Sequence, residues 1–210
     1  MATVVSIVKK RGRTAGCIIT LDNNETIECS LDLISKHNIT KKEDITEEAL
    51  AAIINDQRMM TARQVALVYA TYKTRTSAQV RKKLAEKGYS PEESEATMDF
   101  LKEFNYVNDV AYSRAFIEEL IKRKPAGKSR ITAELKKRGI DVADIKAAIR
   151  EIFPEDDTLT LARDAATKKL RTVRHKTIDK QRSTVVSFLA RQGFAWDIIR
   201  KTIEELKLNG

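Results

Sequence analysis

Long apolar runs are missing from this chain of 210 residues. Nowhere do about 18 apolar residues follow one another, so no membrane span is expected, and the first residues lack the apolar core of a signal peptide. Histidine is limited to His37 and His175, and neither stands at a metal-ligand spacing from the other or from a cysteine. No GxGxxG, phosphate-loop or GxSxG sequence occurs. Carboxylates are plentiful, but they fall on amphipathic surfaces as charge partners, as Glu118 and Lys122 do at i and i+4. These absences argue against an enzyme and against a metal or cofactor, and a cytoplasmic protein with no membrane contact is expected. Aromatic residues make up only 6% of the chain, which leaves few rings for base stacking.

Glycine is scarce too, with seven in all, and three of them share one register. Val80, Leu84 and Gly88 recur as Ile131, Leu135 and Gly139, then as Val185, Leu189 and Gly193, each followed by a bulky residue: Tyr89, Ile140 or Phe194. The register continues beyond each glycine through Met98, Ile149 and Ile203, and through Leu101, Ile152 and Leu206. Aliphatic residues at i and i+4 share one helix face, and a glycine four residues on is where a helix adopts a left-handed C-terminal cap. A new helix starts at once, with Ser90, Pro91 and Glu93 as a capping box and Asp141 as N-cap. The third copy has Ala195 there, a poor cap, yet Phe194 and Ile199 keep the staple spacing of Ile140 and Ile145.

A further amphipathic stretch precedes each pair: Val65, Ala66, Val68, Tyr69 and Tyr72; Ala111, Phe116, Ile117, Leu120 and Ile121; Leu159, Leu161, Ala162, Ala165 and Leu170. The expectation is a mainly α fold of three tandem three-helix bundles, at 61–108, 109–158 and 159–210, forming an elongated curved array. Pro154 and the acidic Glu155, Asp156 and Asp157 lie near the last joint.

The first 45 residues differ in kind. Thr3–Lys9, Gly16–Leu21 and Thr26–Leu31 are rich in Val, Ile, Thr and Cys and predict a small antiparallel β segment, with turn chemistry at Asp22 to Glu25. Lys9, Lys10, Arg11, Gly12 and Arg13 form its other loop, and a linking helix is expected from Thr46 toward Met60. Pairing Leu21 with Ile27 and Ile19 with Cys29 makes the two cysteines, Cys17 and Cys29, diagonal neighbours, expected as reduced thiols.

The net charge of +9 is unevenly spread: −1 over residues 1–60, +2 over 61–108, +4 over 109–153 and +4 over 154–210. Two basic knots stand out. One is Lys122, Arg123, Lys124, Lys128 and Arg130, around Pro125 and Gly127; the other is Lys168, Lys169, Arg171, Arg174, Lys176, Lys180 and Arg182, facing the single acid Asp179. Solvated helix faces account for most single Lys and Arg residues, but the knots are candidates for contact with a polyanion or an acidic protein surface. Base reading by a helix-turn-helix is disfavoured, because the second helices open on Glu92, Glu93 and Glu95, on Asp141 and Asp144, and on Asp197, which phosphates would repel.

The run Ser77, Val80, Leu84, Lys87, Gly88, then Leu101, Asn108, Asp109 and Ala111, then Gly127, Ile131, Leu135, Lys137, Arg138, Gly139 and Ile140, and finally Arg182, Leu189, Gly193 and Phe194 resembles the RecX family. The resemblance covers roughly 60–205. It implies tandem three-helix repeats and a regulator of the bacterial recombinase RecA in recombination, DNA repair and the SOS response. The implied partners are the RecA filament and single-stranded DNA, directly or within the filament; the implied action is hindrance of filament growth, ATP hydrolysis and strand exchange. A monomer is expected.

Overall fold

The computed structural model describes residues 1–10, 16–153 and 155–208, with no account of the side chains of 155–157. Arg11, Gly12 and Arg13, Pro154, and the side chains of Glu155, Asp156 and Asp157 lie outside the described residues. Four strands and ten helices follow in the order β1 (Ala2–Lys9), β2 (Gly16–Leu21), β3 (Thr26–Ser30), α1 (Leu31–Lys36), β4 (Asp44–Ile45), α2 (Glu47–Tyr72), α3 (Ser77–Glu86), α4 (Pro91–Glu103), α5 (Asp109–Arg123), α6 (Lys128–Lys136), α7 (Val142–Ile152), α8 (Glu155–Arg171), α9 (Ile178–Arg191) and α10 (Trp196–Glu205). Two compact units result, one of Met1–Thr71 with Lys83–Phe104, the other of Tyr72–Lys82 with Asn105–Gly210.

In the first unit the strands form an antiparallel sheet in the order β3-β2-β1-β4. Val4, Ile19, Leu21 and Cys29 on its inner face pack with Leu33 of α1, with Ile39 and Ile45, and with Ile53 of α2. The register differs from the one the sequence suggests. Ile19 faces Ile27 and Cys17 faces Cys29 directly. The cause is a tight loop: the Asn24 N–H donates to the Leu21 carbonyl, Asn24 takes φ 66°, and the Leu21 N–H returns to the Glu25 carbonyl. Asn tolerates the left-handed conformation that a three-residue hairpin loop demands at its last position. The two-residue slip keeps the same side chains inward, because the pleat has period two. Both cysteines are free and buried, and burial pushes the Cys29 thiol up, helped by neighbouring Cys17 and opposed by a backbone hydrogen bond at Ser30.

Leu31 belongs to α1, capped by Ser30, whose hydroxyl accepts from the Leu33 N–H. The short α1 and β4 have too few residues to show periodicity. The linking helix and the first helix of the first repeat are one continuous α2 of 26 residues. Beyond Ile53 its buried residues are all small, Ala62, Ala66 and Ala70, whereas Val68 and Tyr72 are exposed.

The three register glycines cap helices as expected, at φ 79° for Gly88, 74° for Gly139 and 82° for Gly193. In each turn the following N–H reaches back to the Leu carbonyl: Tyr89 to Leu84, Ile140 to Leu135, Phe194 to Leu189. Ser90 and Glu93 form the capping box, the Asp141 carboxylate accepts from the Ala143 N–H, and Ala195 makes no side-chain cap. Phe194 with Ile199, and Ile140 with Ile145, fall in the same buried clusters, which hold the third and second bundles together.

The second unit also shows how consecutive repeats meet. The Thr76 hydroxyl donates to the Arg138 carbonyl at 3.1 Å, and the Gly127 N–H donates to the Gln192 carbonyl at 2.8 Å. Thr76 and Gly127 hold the same place, four residues before Val80 and Ile131. The N-terminus of one repeat's middle helix therefore sits on the glycine turn of the next. These seams are tight: a Cβ on Gly127 would lie 2.2 Å from the Gly193 carbonyl oxygen, and one on Gly139 would lie 2.4 Å from the Ala78 Cβ. A Cβ on Gly88 would meet nothing within 4 Å. There the carbonyl accepts from the Arg58 guanidinium at 2.7 Å, and Arg58 also pairs with Glu93.

Gly88→Ala should therefore cost about 1 kcal/mol, the left-handed penalty alone. Gly139→Ala should cost more, and Gly127→Ala, at φ −82°, should destabilise purely by collision. Urea denaturation of the three variants gives the order, and equal losses would show that the seams yield freely. A second expectation concerns pH. The Arg58 guanidinium, with the Ser90 N–H, holds the Glu93 carboxyl below its ordinary range. A depressed carboxylate adds stability above its unfolded pKa and loses it as pH falls through the folded value, here below about pH 4. The melting-temperature gap between wild type and Glu93→Gln should be open at pH 6 and narrow steadily as the pH falls through the acid range.

Candidate partner interface

The second basic knot folds into one corner of the third repeat. Lys168, Lys169 and Arg171 end α8, Arg174 and Lys176 lie in the connecting loop, and Lys180 and Arg182 stand on the first turns of α9. The loop is held from below. Val173 is buried, and the Gln181 side-chain amide donates to the carbonyls of Arg174 and Lys176 at 3.2 and 2.6 Å. Tying those carbonyls inward leaves the cationic side chains outside. Lys168, Arg171, Arg174, Lys176, Lys180 and Arg182 are exposed and have no ion-pair partner among the described residues. Lys169 alone is half-buried, its ammonium 6.0 Å from the centre of the Phe188 ring. His175, in the same loop, is exposed.

The first knot is dispersed by contrast. Lys122, Arg123 and Lys124 close α5, but Arg123 is paired with Glu119 at 2.5 Å. Lys128 and Arg130 belong to the first turn of α6, and the Arg130 guanidinium is hydrogen-bonded to the Gln192 side chain at the seam between repeats. Lys122 and Lys124 remain free among the described residues. The structure thus keeps the second knot together and splits the first, part of which serves the fold. Sequence spacing does not reveal this, because Arg130 and Gln192 are 62 residues apart.

His37 is also used structurally, with its Nε2 2.9 Å from the Asp56 carboxylate that binds Lys36 at 2.6 Å. Among the described residues no group of three or more His, Cys, Asp or Glu side chains could hold a metal ion, and no helix is long and apolar enough to cross a membrane. Trp196, the single tryptophan, was not singled out by the apolar register, because Ile199 is the first core position of α10; it lies 65% exposed.

Family comparisons divide the helical part into three domains. Residues 62–101, 108–149 and 155–203 match the family models for the first, second and third three-helix domains of RecX. The chain belongs to the RecX family. A RecX relative from Clostridium botulinum (strain Eklund 17B / Type B), named "Regulatory protein RecX", is 28% identical over 98% of this chain and 96% of its own. One of the same name from Clostridium perfringens (strain 13 / Type A) is also 28% identical, over 100% of this chain and 98% of its own. A crystal structure of regulatory protein RecX superposes with a TM-score of 0.78, covering 97% of this chain and 100% of the other at 22% identity, a likeness of fold.

The split of the knots is open to test. Arg130→Ala should lower stability by about 1 kcal/mol through the lost seam hydrogen bond, while Lys124→Ala stays within about 0.5 kcal/mol of wild type. Thermal melts of the two variants suffice, and matching values would mean that the seam contact carries no weight.

Proposed function

We propose that this protein regulates the recombinase RecA, binding RecA and RecA–DNA filaments and hindering filament growth, ATP hydrolysis and strand exchange in recombination and DNA repair. It acts as a cytoplasmic, monomeric modulator without a cofactor or catalysis of its own. Membership of the RecX family, whose curated relatives carry the name regulatory protein, supports the reading, and RecA is the target that this family resemblance implies. The single structural observation that carries it is the corner of the third repeat, where six exposed cations have no ion-pair partner among the described residues.

Unpaired surface cations attract acidic protein surfaces and phosphates over distances comparable to the Debye length, and they do so without first breaking an internal ion pair. Many such contacts along a filament add through multivalency. Lys168, Lys169, Arg171, Arg174, Lys176, Lys180 and Arg182 are the primary docking residues, with Lys122, Arg123, Lys124, Lys128 and Arg130 secondary. Direct competition for single-stranded DNA is the second reading, favoured by the same unpaired cations, which suit backbone phosphates.

The test is single-stranded-DNA-dependent ATP hydrolysis by the cognate RecA with this protein added far below one copy per RecA. Progressive loss of hydrolysis supports filament regulation, and its disappearance at saturating DNA indicates competition for DNA instead. Exchanging Lys168, Lys169, Arg171 and Arg174 for Glu should raise the concentration for half-inhibition by about tenfold or more without lowering the melting temperature. Unchanged inhibition at near-physiological salt removes this corner from the account.

A further inference from the structure

We infer that Trp196 anchors a binding pocket for a protein segment that presents a large apolar side chain among carboxylates. The inference deepens the function proposed above and rests on its reading of a protein partner. Trp196 opens α10 with 65% of its surface exposed, the most exposed large hydrophobic residue of the third repeat. A large aromatic surface left in water at that level is unfavourable for the free protein and is commonly a contact point.

Beside it lies a pocket of about 200 Å³ between α9 and α10. Its floor is aliphatic, made of Val186, Ile199 and Ile203, and its rim carries Arg182 and Arg200 with Glu204 as the only acid. Neither arginine has an ion-pair partner among the described residues. Trp and Arg around a small apolar depression is the composition of a binding hot spot. Charge selects the occupant: the rim is net positive, and Arg182 continues into the unneutralised corner at Lys180, Lys176 and Arg174.

A nucleobase fits less well. Its edges require hydrogen-bonding partners, and an aliphatic floor offers none. The larger pocket of about 460 Å³ beside α5 is a weaker candidate for any anionic ligand. Two of its cations, Arg123 and Arg138, are already paired with Glu119 and Glu134, and Arg138 covers the Phe116 ring at 4.1 Å.

Because Trp196 is the only tryptophan, its emission reports on this pocket alone. The full-length protein is titrated with acetyl-Glu-Glu-Asp-Phe-Glu-Glu-amide, with the same peptide carrying Ser for Phe, and with oligothymidylate. The Phe peptide should shift the emission to the blue with saturation, binding about tenfold or more tightly than the Ser peptide. The shift should vanish in the Arg182→Glu, Arg200→Glu double variant. Equal response to both peptides, no response, or quenching by oligothymidylate ahead of the Phe peptide overturns the inference.

Filament inhibition separates this claim from the reading beneath it. If Trp196→Ala, melting as wild type, inhibits the recombinase as well as wild type does, the pocket is not the anchor although the regulatory function stands. If the wild type fails to inhibit while the Phe peptide still binds, the pocket stands and the regulatory reading falls.

Discussion

The meeting of a helix end with a helix beginning governs the second unit of this protein. A helix leaves its last carbonyls and its first N–H groups without partners, and the two ends carry opposite partial charge. The glycine turns at Gly139 and Gly193 present such carbonyls, and the starts of α3 and α6 supply the donors. At the α6 seam the donors are the backbone N–H groups of Gly127 and Ser129, whereas at the α3 seam the donor is the Thr76 hydroxyl. The approach is close enough that Gly127 and Gly193 touch backbone to backbone, so no side chain fits between them. Backbone approach thus shapes the seam at Gly127 and Gly193, where the Arg130 and Gln192 side chains add a hydrogen bond, and Leu161 packs against the apolar clusters of both the second and third bundles.

The seams leave other charged side chains available. Arg130 and Arg138 are bound into seams and turns, with Arg138 donating to the Glu134 carbonyl and lying over Phe116. The corner around residues 168–182 is different, because its order comes from Val173 and the Gln181 amide, and its six exposed cations form no ion pair among the described residues. A loop ordered beforehand gives up less conformational freedom when it meets a partner. Rigidity comes from neutral groups and charge is kept for contact.

The glycine turns were legible because three independent signals coincide there: the i, i+4 aliphatic pair, the glycine and the cap or staple that follows. The sheet was legible in its strands and in which faces turn inward, but its register was not. Pattern alone cannot choose between registers two residues apart, and the choice was made by the left-handed conformation at Asn24. The core face of α2 was read in part: Ala66 is buried as expected, but the buried Ala62 and Ala70 give a weaker apolar signal than Val68 and Tyr72, which face water. For the interface, the clustering of charge could be read along the chain. Which cations were already engaged could not, since Arg130 and Gln192 come together only in the folded state.

Arg58 on the Gly88 carbonyl has an implication for how such chains can lengthen. Gly88 is the one register turn without a preceding repeat, and a side chain from α2 takes the position that a helix start occupies elsewhere. At the opposite end, α9 begins at Ile178, four residues further ahead of Val185 than α6 begins ahead of Ile131. A repeat placed ahead of Gly88 would have to displace the Arg58 guanidinium from its carbonyl, a cost that insertion between existing repeats does not carry.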